Sequence, residues 1–378
     1  MLSGLIKREW QRFRADPWML ALLSYIPVIS VLMLWWLFSA ATPRHLPIAV
    51  IDHDQSHISR LLTRNLVANP VTVPQAFSDI TQAKLAMSEG KVYALVIYPD
   101  NMRKDLLTGK SPIIDVRYNS QFLLVGKLLS SQIQATLADG LKQVSMARQL
   151  LQGTPKAQAH INVSPIHHQV TALYNRNNDY DRFLLPGITV ALAQIIAMLI
   201  FANGLTSELR HNTMKQWLEH GLARALWAKT LFYVPLLTLQ FSATMMLVYA
   251  LLGESVVGSM IALLPLQLMM IIAIWLIVLA IFWLLQESAR VVSFGAALFA
   301  PAFPYLGVTF PVHDMPLAAQ LWRLLMPSSH YIDSHLGLLV YQQHYGAIIS
   351  DMSSYWVFAL FAVIAILVSR KKAAQVMQ

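Results

Sequence analysis

Residues 260–285 read MIALLPLQLMMIIAIWLIVLAIFWLL and contain no charged side chain. A bilayer core about 30 Å thick is crossed by roughly 20 mainly apolar helical residues, so this stretch predicts a transmembrane helix. The whole chain shares the bias. Of its 378 residues, 56% are apolar and only 12% are charged, against about 25% charged in soluble domains. The sequence therefore predicts an integral membrane protein.

Further apolar stretches of similar length occupy residues 18–41, 183–206, 225–252, 291–310 and 352–369. Together they predict a polytopic α-helical membrane protein of about six transmembrane helices, with helices 2–6 inside residues 183–370. The run at 18–41 is too long for the apolar part of a signal peptide, so we expect it to be retained as helix 1. The run at 291–310 is the least regular, because Pro301, Pro304 and Pro311 can break a helix into a re-entrant element.

Residues 1–17 predict an amphipathic helix in the membrane interface ahead of helix 1. At about 100° per residue, one face collects Leu2, Leu5, Ile6, Trp10 and Phe13, and basic residues lie around the rest. Glu9 falls inside the apolar face. Either its carboxylate reaches the lipid headgroups, or it forms an ion pair with another helix of this chain or of a partner.

Residues 42–182 contain no apolar run long enough to span a membrane. Strand patterns occur at 47–52, 71–75, 92–98 and 113–119, and helical patterns at 56–68, 79–89 and 101–107. A long helix over 121–151 would reach about 45 Å if straight. Strands that alternate with helices predict an inserted α/β domain.

The basic residues indicate which side of the membrane each short segment faces. The two terminal segments and the short segments that follow the predicted helices 2 and 4 lie on one side of the membrane. They carry five acidic residues and twelve basic ones, namely Lys7, Arg8, Arg12, Arg14, Arg210, Lys215, Arg224, Lys229, Arg290, Arg370, Lys371 and Lys372. The opposite loops have no Lys or Arg at 253–259 and only Arg323 at 311–351. The positive-inside rule therefore predicts cytosolic termini and a cytosolic 207–224 loop. It places residues 42–182 outside, which is the periplasm if the membrane is a bacterial inner membrane.

Recognisable chemistry is sparse. The formal charge is +9, but no basic face interleaved with aromatics indicates nucleic-acid binding. The GKS at 109–111 lacks the glycine that a phosphate-binding loop needs five positions earlier, where Lys104 stands. Asp52, His53, Asp54 and His57 fit a strand-to-helix turn, capped by Asp54 or Ser56, better than a metal site. There is no cysteine. We therefore expect no catalytic residue, metal or cofactor in this chain.

The predicted spans hold almost no charge. Their polar residues are Gln194, Asn203, Gln240 and Gln267. These side chains either form hydrogen bonds between helices or line a substrate path. Because a pump driven by proton flow usually carries intramembrane carboxylates, we expect the energy for any transport to come from another polypeptide.

The segment SELRHNTMKQWLEHGLARALW, at 207–227, mixes charge with large apolar residues on the side predicted to be cytosolic. Thr213, Met214, Trp217 and Leu218 can form a one-sided ridge on a short helix. The ridge would pack on the membrane surface or dock into a groove of a partner.

This segment resembles the cytosolic coupling stretch of ABC type-2 exporter permeases, roughly E-R-E-x-G-T-x-E-x-L-x-x-x-P. The matching residues are Glu208, Arg210, His211, Thr213, Gln216 and Leu218; Asn212 replaces the usual glycine, Lys215 a common glutamate, and Gly221–Leu222 the usual proline. Residues 1–17 resemble the elbow helix of the family, and IAVID at 48–52 followed by DQS at 54–56 is similar to the start of its periplasmic domain. The family also has an outer re-entrant region before the last helix. Three short motifs resemble it, namely FP at 310–311, MP at 315–316 and MPSSHY at 326–331. The resemblance implies such a region over 301–351.

The resemblance implies the permease subunit of an ATP-driven exporter in a bacterial inner membrane. Two such subunits, identical or related, would bind two cytosolic ABC ATPases that carry ATP and Mg²⁺. The 207–222 helix would dock on the ATPase, with Met214, Trp217 and Leu218 as its apolar anchor. The elbow helix would include Glu9 and Trp10. An adaptor leading to an outer-membrane channel is a further implied partner. The alternative is a non-transport membrane sensor whose periplasmic α/β domain binds a ligand or partner.

Overall fold

A computed structural model of the chain describes residues 2–39, 43–108, 110, 112–163, 175 and 179–377. Gly109 and Ser111 of the GKS turn and His167 and His168 lie outside the described residues. Two compact units are present. The helical unit comprises Met1–Ala41 and Ala172–Gln378, and the α/β unit comprises Thr42–Thr171.

The N-terminal part of the helical unit contains helices α1 (Leu2–Ala15), α2 (Pro17–Leu23) and α3 (Tyr25–Phe38). Asp16 ends α1 and caps α2 by accepting hydrogen bonds from the backbone N–H groups of Trp18 and Met19. A bend of 42° separates α2 from α3. Pro27 accounts for the bend, because its ring clashes with the carbonyl of Leu23 and lacks the N–H that would continue the helix.

The elements of the α/β unit are β1 (Leu46–Asp52), α4 (His57–Ala68), β2 (Thr72–Ala76), α5 (Ile80–Ser88), β3 (Ala94–Tyr98), α6 (Met102–Thr108), β4 (Asp115–Tyr118), α7 (Leu123–Leu151) and α8 (Lys156–Val163). The sheet order is β2-β1-β3-β4, with β1 parallel to both β2 and β3, and β4 antiparallel to β3. Each strand lies where the residue pattern predicts one. Ser56 caps α4, as predicted.

Alternation along β1 produces two small cores. Ile48 and Val50 face a cluster that includes Leu62 of α4 and Ile133 of α7. Ala49 and Ile51 face the opposite side, where Ala83 and Ala86 of α5 pack. Both sheet faces are covered, which explains why β1 is an almost continuous apolar run.

The second part of the helical unit contains α9 (Tyr180–Arg210), α10 (Met214–Leu218), α11 (Leu222–Leu251), α12 (Val257–Leu285), α13 (Ser288–Phe299), α14 (Ala302–Tyr305), α15 (Leu317–Leu324), α16 (Pro327–Leu339), α17 (Tyr345–Asp351) and α18 (Ala359–Met377). Short 3₁₀ helices cover Val312–Asp314 and Met352–Phe358. Within the described residues, four helical stretches are long and apolar enough to cross a membrane, namely Tyr180–Arg210, Leu222–Leu251, Gly258–Leu285 and Met352–Gln375. The bent pair α2–α3 makes a fifth if it counts as one span.

The stretch at residues 291–310 is not one continuous helix, and its break lies among the prolines that the sequence marks as able to break it. Helix α13 ends at Phe299, before Pro301, and its 12 residues extend only about 18 Å. The following segment nevertheless continues along α9 toward its N-terminal end. Gly295 lies beside Met198, and Val308 and Phe303 lie beside Gly187. The proline break therefore replaces one predicted helix with two shorter ones in series.

Candidate functional site

A cluster of buried charges joins α1 to the facing ends of α9 and α11. We call it the charge cluster; its members are Arg8, Glu9, Arg12, Glu208 and Lys229. The Nζ atom of Lys229 lies 2.8 Å from Glu9 Oε2 and 3.2 Å from Glu208 Oε1. Arg8 Nη2 approaches Glu208 Oε2 at 2.5 Å, and Arg12 Nη1 approaches Glu208 Oε1 at 2.7 Å. Glu208 is thus held by three cations from two other helices.

The side chains of Glu208 and Lys229 are completely inaccessible to solvent. A buried charge is tolerated only when it is paired and its remaining hydrogen-bonding capacity is used. Lys229 also donates to the carbonyl of Gly204, at 2.9 Å, and the hydroxyl of Tyr233 donates to Glu9 Oε2, at 3.3 Å. A Cβ atom at Gly204 would lie 2.9 Å from Tyr233 Cζ. Glycine at position 204 therefore lets α11 come close enough for these contacts.

Glu9 forms an ion pair with Lys229, which is one of the two explanations that the sequence left open. The side chain is 2% exposed and lies on the same face of α1 as buried Leu5 and Phe13. Trp10, predicted for the apolar face, is 46% exposed and lies under the guanidinium of Arg14, at 5.6 Å from the ring centroid.

Helix α10 carries the apolar residues predicted to face a partner, but all three are buried in this chain. Met214, Trp217 and Leu218 have exposures of 9%, 1% and 3%. The Trp217 ring stacks on Trp283 of α12 at 6.2 Å, and Lys229 Nζ lies 5.2 Å from its centroid. The prediction of an apolar docking ridge is therefore corrected: these side chains anchor α10 to its own helical unit.

The opposite side of the segment is exposed and polar. Arg210, His211, Lys215, Gln216 and Glu219 are all exposed, and we call these five residues the polar face. Asn212 has φ of 54° and Gly221 has φ of 94°. Asparagine is among the few residues that adopt a left-handed conformation readily, which explains how it can replace the family's glycine at the turn into α10.

The remaining coupling residue, Thr213, links the polar face to the charge cluster. Its hydroxyl donates to Glu208 Oε2 at 2.6 Å and accepts from Arg12 Nη2 at 3.0 Å. The predicted coupling residues thus divide into a buried group that fixes α10 and an exposed group, and the structure brings both onto one short segment.

The polar residues predicted for the spans all make contacts within the helical unit. Gln194 accepts from the backbone N–H of Ser328 at 2.9 Å, and Gln267 donates to the hydroxyl of Tyr331 at 3.0 Å. Both are fully buried. Asn203 donates to Asp16 at 2.8 Å and accepts from Arg210 at 2.5 Å, while Gln240 reaches the carbonyl of Leu22 at 3.5 Å. Most of these hydrogen bonds join different elements of the helical unit, which is one of the two roles predicted for these residues.

Sequence reasoning missed a second buried polar group around His335. Its two ring nitrogens lie 2.7 Å from the Tyr249 hydroxyl and 3.1 Å from the Tyr331 hydroxyl. Gln267 continues the chain to Ser242. This network connects α16 to α11 and α12. Tyr331 and His335 are four residues apart on α16, but no local pattern indicates their partners on α11 and α12.

In the α/β unit, the Asp52–His57 turn is used structurally. Asp52 accepts from the backbone N–H of Gln55 at 2.8 Å and from the hydroxyl of Ser59 at 2.6 Å. Asp54 accepts from the backbone N–H of Arg103 at 3.2 Å. Among the described residues, no group of three or more His, Asp or Glu side chains could hold a metal ion.

A family model described as "ABC-2 family transporter protein" matches residues 17–368. The chain belongs to the ABC-2 transporter family. Membership makes this ABC-2 protein a multi-pass membrane protein and the permease subunit of an ABC transporter. Membrane subunits of this family generally work in pairs with separate ATPase partners and are generally not catalytic. No curated protein matches the chain at a significant level.

Proposed function

We propose that this ABC-2 permease is the membrane subunit of an exporter, which moves a substrate outward across a bacterial inner membrane. Two copies, or this chain and a related one, pair in the membrane and bind two cytosolic ATPases that carry ATP and Mg²⁺.

The proposed coupling element is the 207–224 segment with α10 at its centre. The observation that carries this assignment is the two-sided burial of the segment. Its polar face points to solvent, while Trp217 and Glu208 tie its other side to α12, α1 and α11. A push on Lys215 or Glu219 would therefore move several helix ends together, which is what a lever driven by an ATPase requires.

The orientation rests on the distribution of basic residues. It puts α10, the charge cluster and both termini in the cytosol and residues 42–182 in the periplasm. There an adaptor leading to an outer-membrane channel would contact the α/β unit. In this arrangement α13 and α14 form one broken span. The 12 residues of α13 and the four of α14 provide about 24 Å of helix. They lie along α9 in the antiparallel sense, which returns the chain to the outer side before α18.

Single cysteines test this orientation, because the chain contains none of its own. Ser88→Cys lies at the exposed C-terminal end of α5, and Lys215→Cys lies on the polar face. We expect a membrane-impermeant maleimide to label Ser88→Cys in intact cells and Lys215→Cys only after the inner membrane is opened. The reverse pattern would exclude both a periplasmic α/β unit and a cytosolic coupling segment.

A further inference from the structure

The α/β unit contains a cavity of about 750 Å³ between α4, α6 and α7. Sites for small molecules typically enclose about 300 to 1,000 Å³ and are lined mainly by apolar side chains. Here the walls include Ile58 and Leu61 of α4, Met102 and Leu106 of α6, and Leu141 and Val144 of α7. Several of these side chains remain half-buried, because the helices leave the space between them open.

Two basic side chains, Lys110 and Arg148, line the cavity, and no Asp or Glu is among its lining residues. Lys110 Nζ lies 3.6 Å from Asp105 Oδ1, in a partly exposed ion pair for which the carboxylate of a ligand can compete. Arg148 is held in place, since its Nη1 atom donates to the carbonyl of Leu106 at 3.0 Å. A guanidinium has five N–H donors, so this contact leaves most of the N–H groups of Arg148 able to donate to an anion.

Exposed apolar side chains lie at the cavity. Leu151, which lines it, is 89% exposed, and Ile113, which stands in the chain between the lining residues Pro112 and Ile114, is 82% exposed. A ligand that matches both features has an apolar body and a single anionic head.

We propose that this cavity binds a small amphipathic anion, of the size and chemistry of a fatty acid. Its carboxylate pairs with Arg148 and Lys110, and its chain packs against the α4 and α7 side chains. A concave, mainly apolar space with Arg148 in its lining favours this occupant over a flat protein surface. The inference concerns the α/β unit alone and does not depend on the direction of transport.

Protection of a single thiol tests the proposal on the full chain in lipid nanodiscs. Ser145→Cys places the thiol in the lining of the cavity, and Ser88→Cys is the control outside it. Laurate is expected to slow maleimide labelling of Ser145→Cys about tenfold and to leave Ser88→Cys unchanged. The neutral analogue 1-dodecanol, at the same concentration, is expected to protect little.

The charge dependence supplies the second part of the test. Arg148→Gln in the Ser145→Cys background should raise the laurate concentration for half-protection about tenfold, since it removes a charge-assisted contact. Lys110→Gln, at an exposed side chain, should raise it in the same direction and serves if Arg148→Gln does not fold. Equal protection of both cysteines, equal protection by dodecanol, or no response to either substitution would each overturn the proposal; equal protection by dodecanol would indicate a general apolar surface for a protein partner.

Discussion

Lys229→Met is expected to destabilise the helical unit by about 3 to 5 kcal/mol, because it leaves buried carboxylates without their central cation. Lys229 is fully inaccessible and is the cation that contacts both Glu9 and Glu208. Glu208 keeps Arg8 and Arg12 as partners, whereas Glu9 loses its cation and keeps the hydroxyl of Tyr233. The thermal unfolding midpoint in detergent should fall by roughly 5 °C or more.

Two controls separate charge from packing. Lys215→Met removes an exposed lysine from the neighbouring segment and should leave the midpoint unchanged. Adding Glu9→Gln to Lys229→Met removes the orphaned charge, and we expect it to restore at least half of the lost stability. If the double variant is as unstable as Lys229→Met alone, the charge cluster does not account for the role of Lys229.

Two single variants, Lys215→Glu and Glu219→Lys, are each expected to reduce the recovery of an ABC ATPase with the purified permease at least tenfold. The thermal unfolding midpoint of each variant should stay within about 1 °C of the native value. Both residues lie on the polar face, and exposed charges contribute little to stability. At an interface, however, reversing a charge opposes the partner's potential.

Trp217→Glu cannot make the same distinction. Trp217 is 1% exposed and stacks on Trp283, so a carboxylate there would destabilise α10 itself. Arg290→Glu is the better control, because Arg290 is exposed, pairs with Glu287 and lies outside the 207–224 segment. Equal loss of the ATPase with Arg290→Glu would show that the effect is general electrostatics rather than a specific docking surface.

The fold could be predicted furthest where its determinants are local. The four strands of the α/β unit follow from short apolar runs or alternation over a few residues, and the long helix α7 follows from repeated apolar spacing. The spans follow from length and hydropathy. The break after Phe299 depends on Pro301, which the sequence shows, but whether the segment still crosses depends on its packing along α9.

The site was predictable only in part. Glu9 stood out because a carboxylate lay in an apolar face, but its partner is Lys229, far away in the sequence and counted among the cytosolic charges. Met214 and Trp217 were recognised as too apolar for a solvated loop. Their actual neighbours are on α12 and other helices of the same chain, so tertiary packing, which no local pattern encodes, decided which side of α10 is buried.

Photo-cross-linking from Gln216→Cys carrying benzophenone maleimide, in membranes that contain the native partners, tests most directly whether α10 docks on an ATPase. Gln216 is exposed on the polar face, and the same probe at Ser88→Cys is the control. We expect the probe at 216 to capture a polypeptide that mass spectrometry identifies as an ABC ATPase, and the probe at 88 to capture none. Capture of the ATPase from position 88, or of no ATPase from position 216, would contradict this docking.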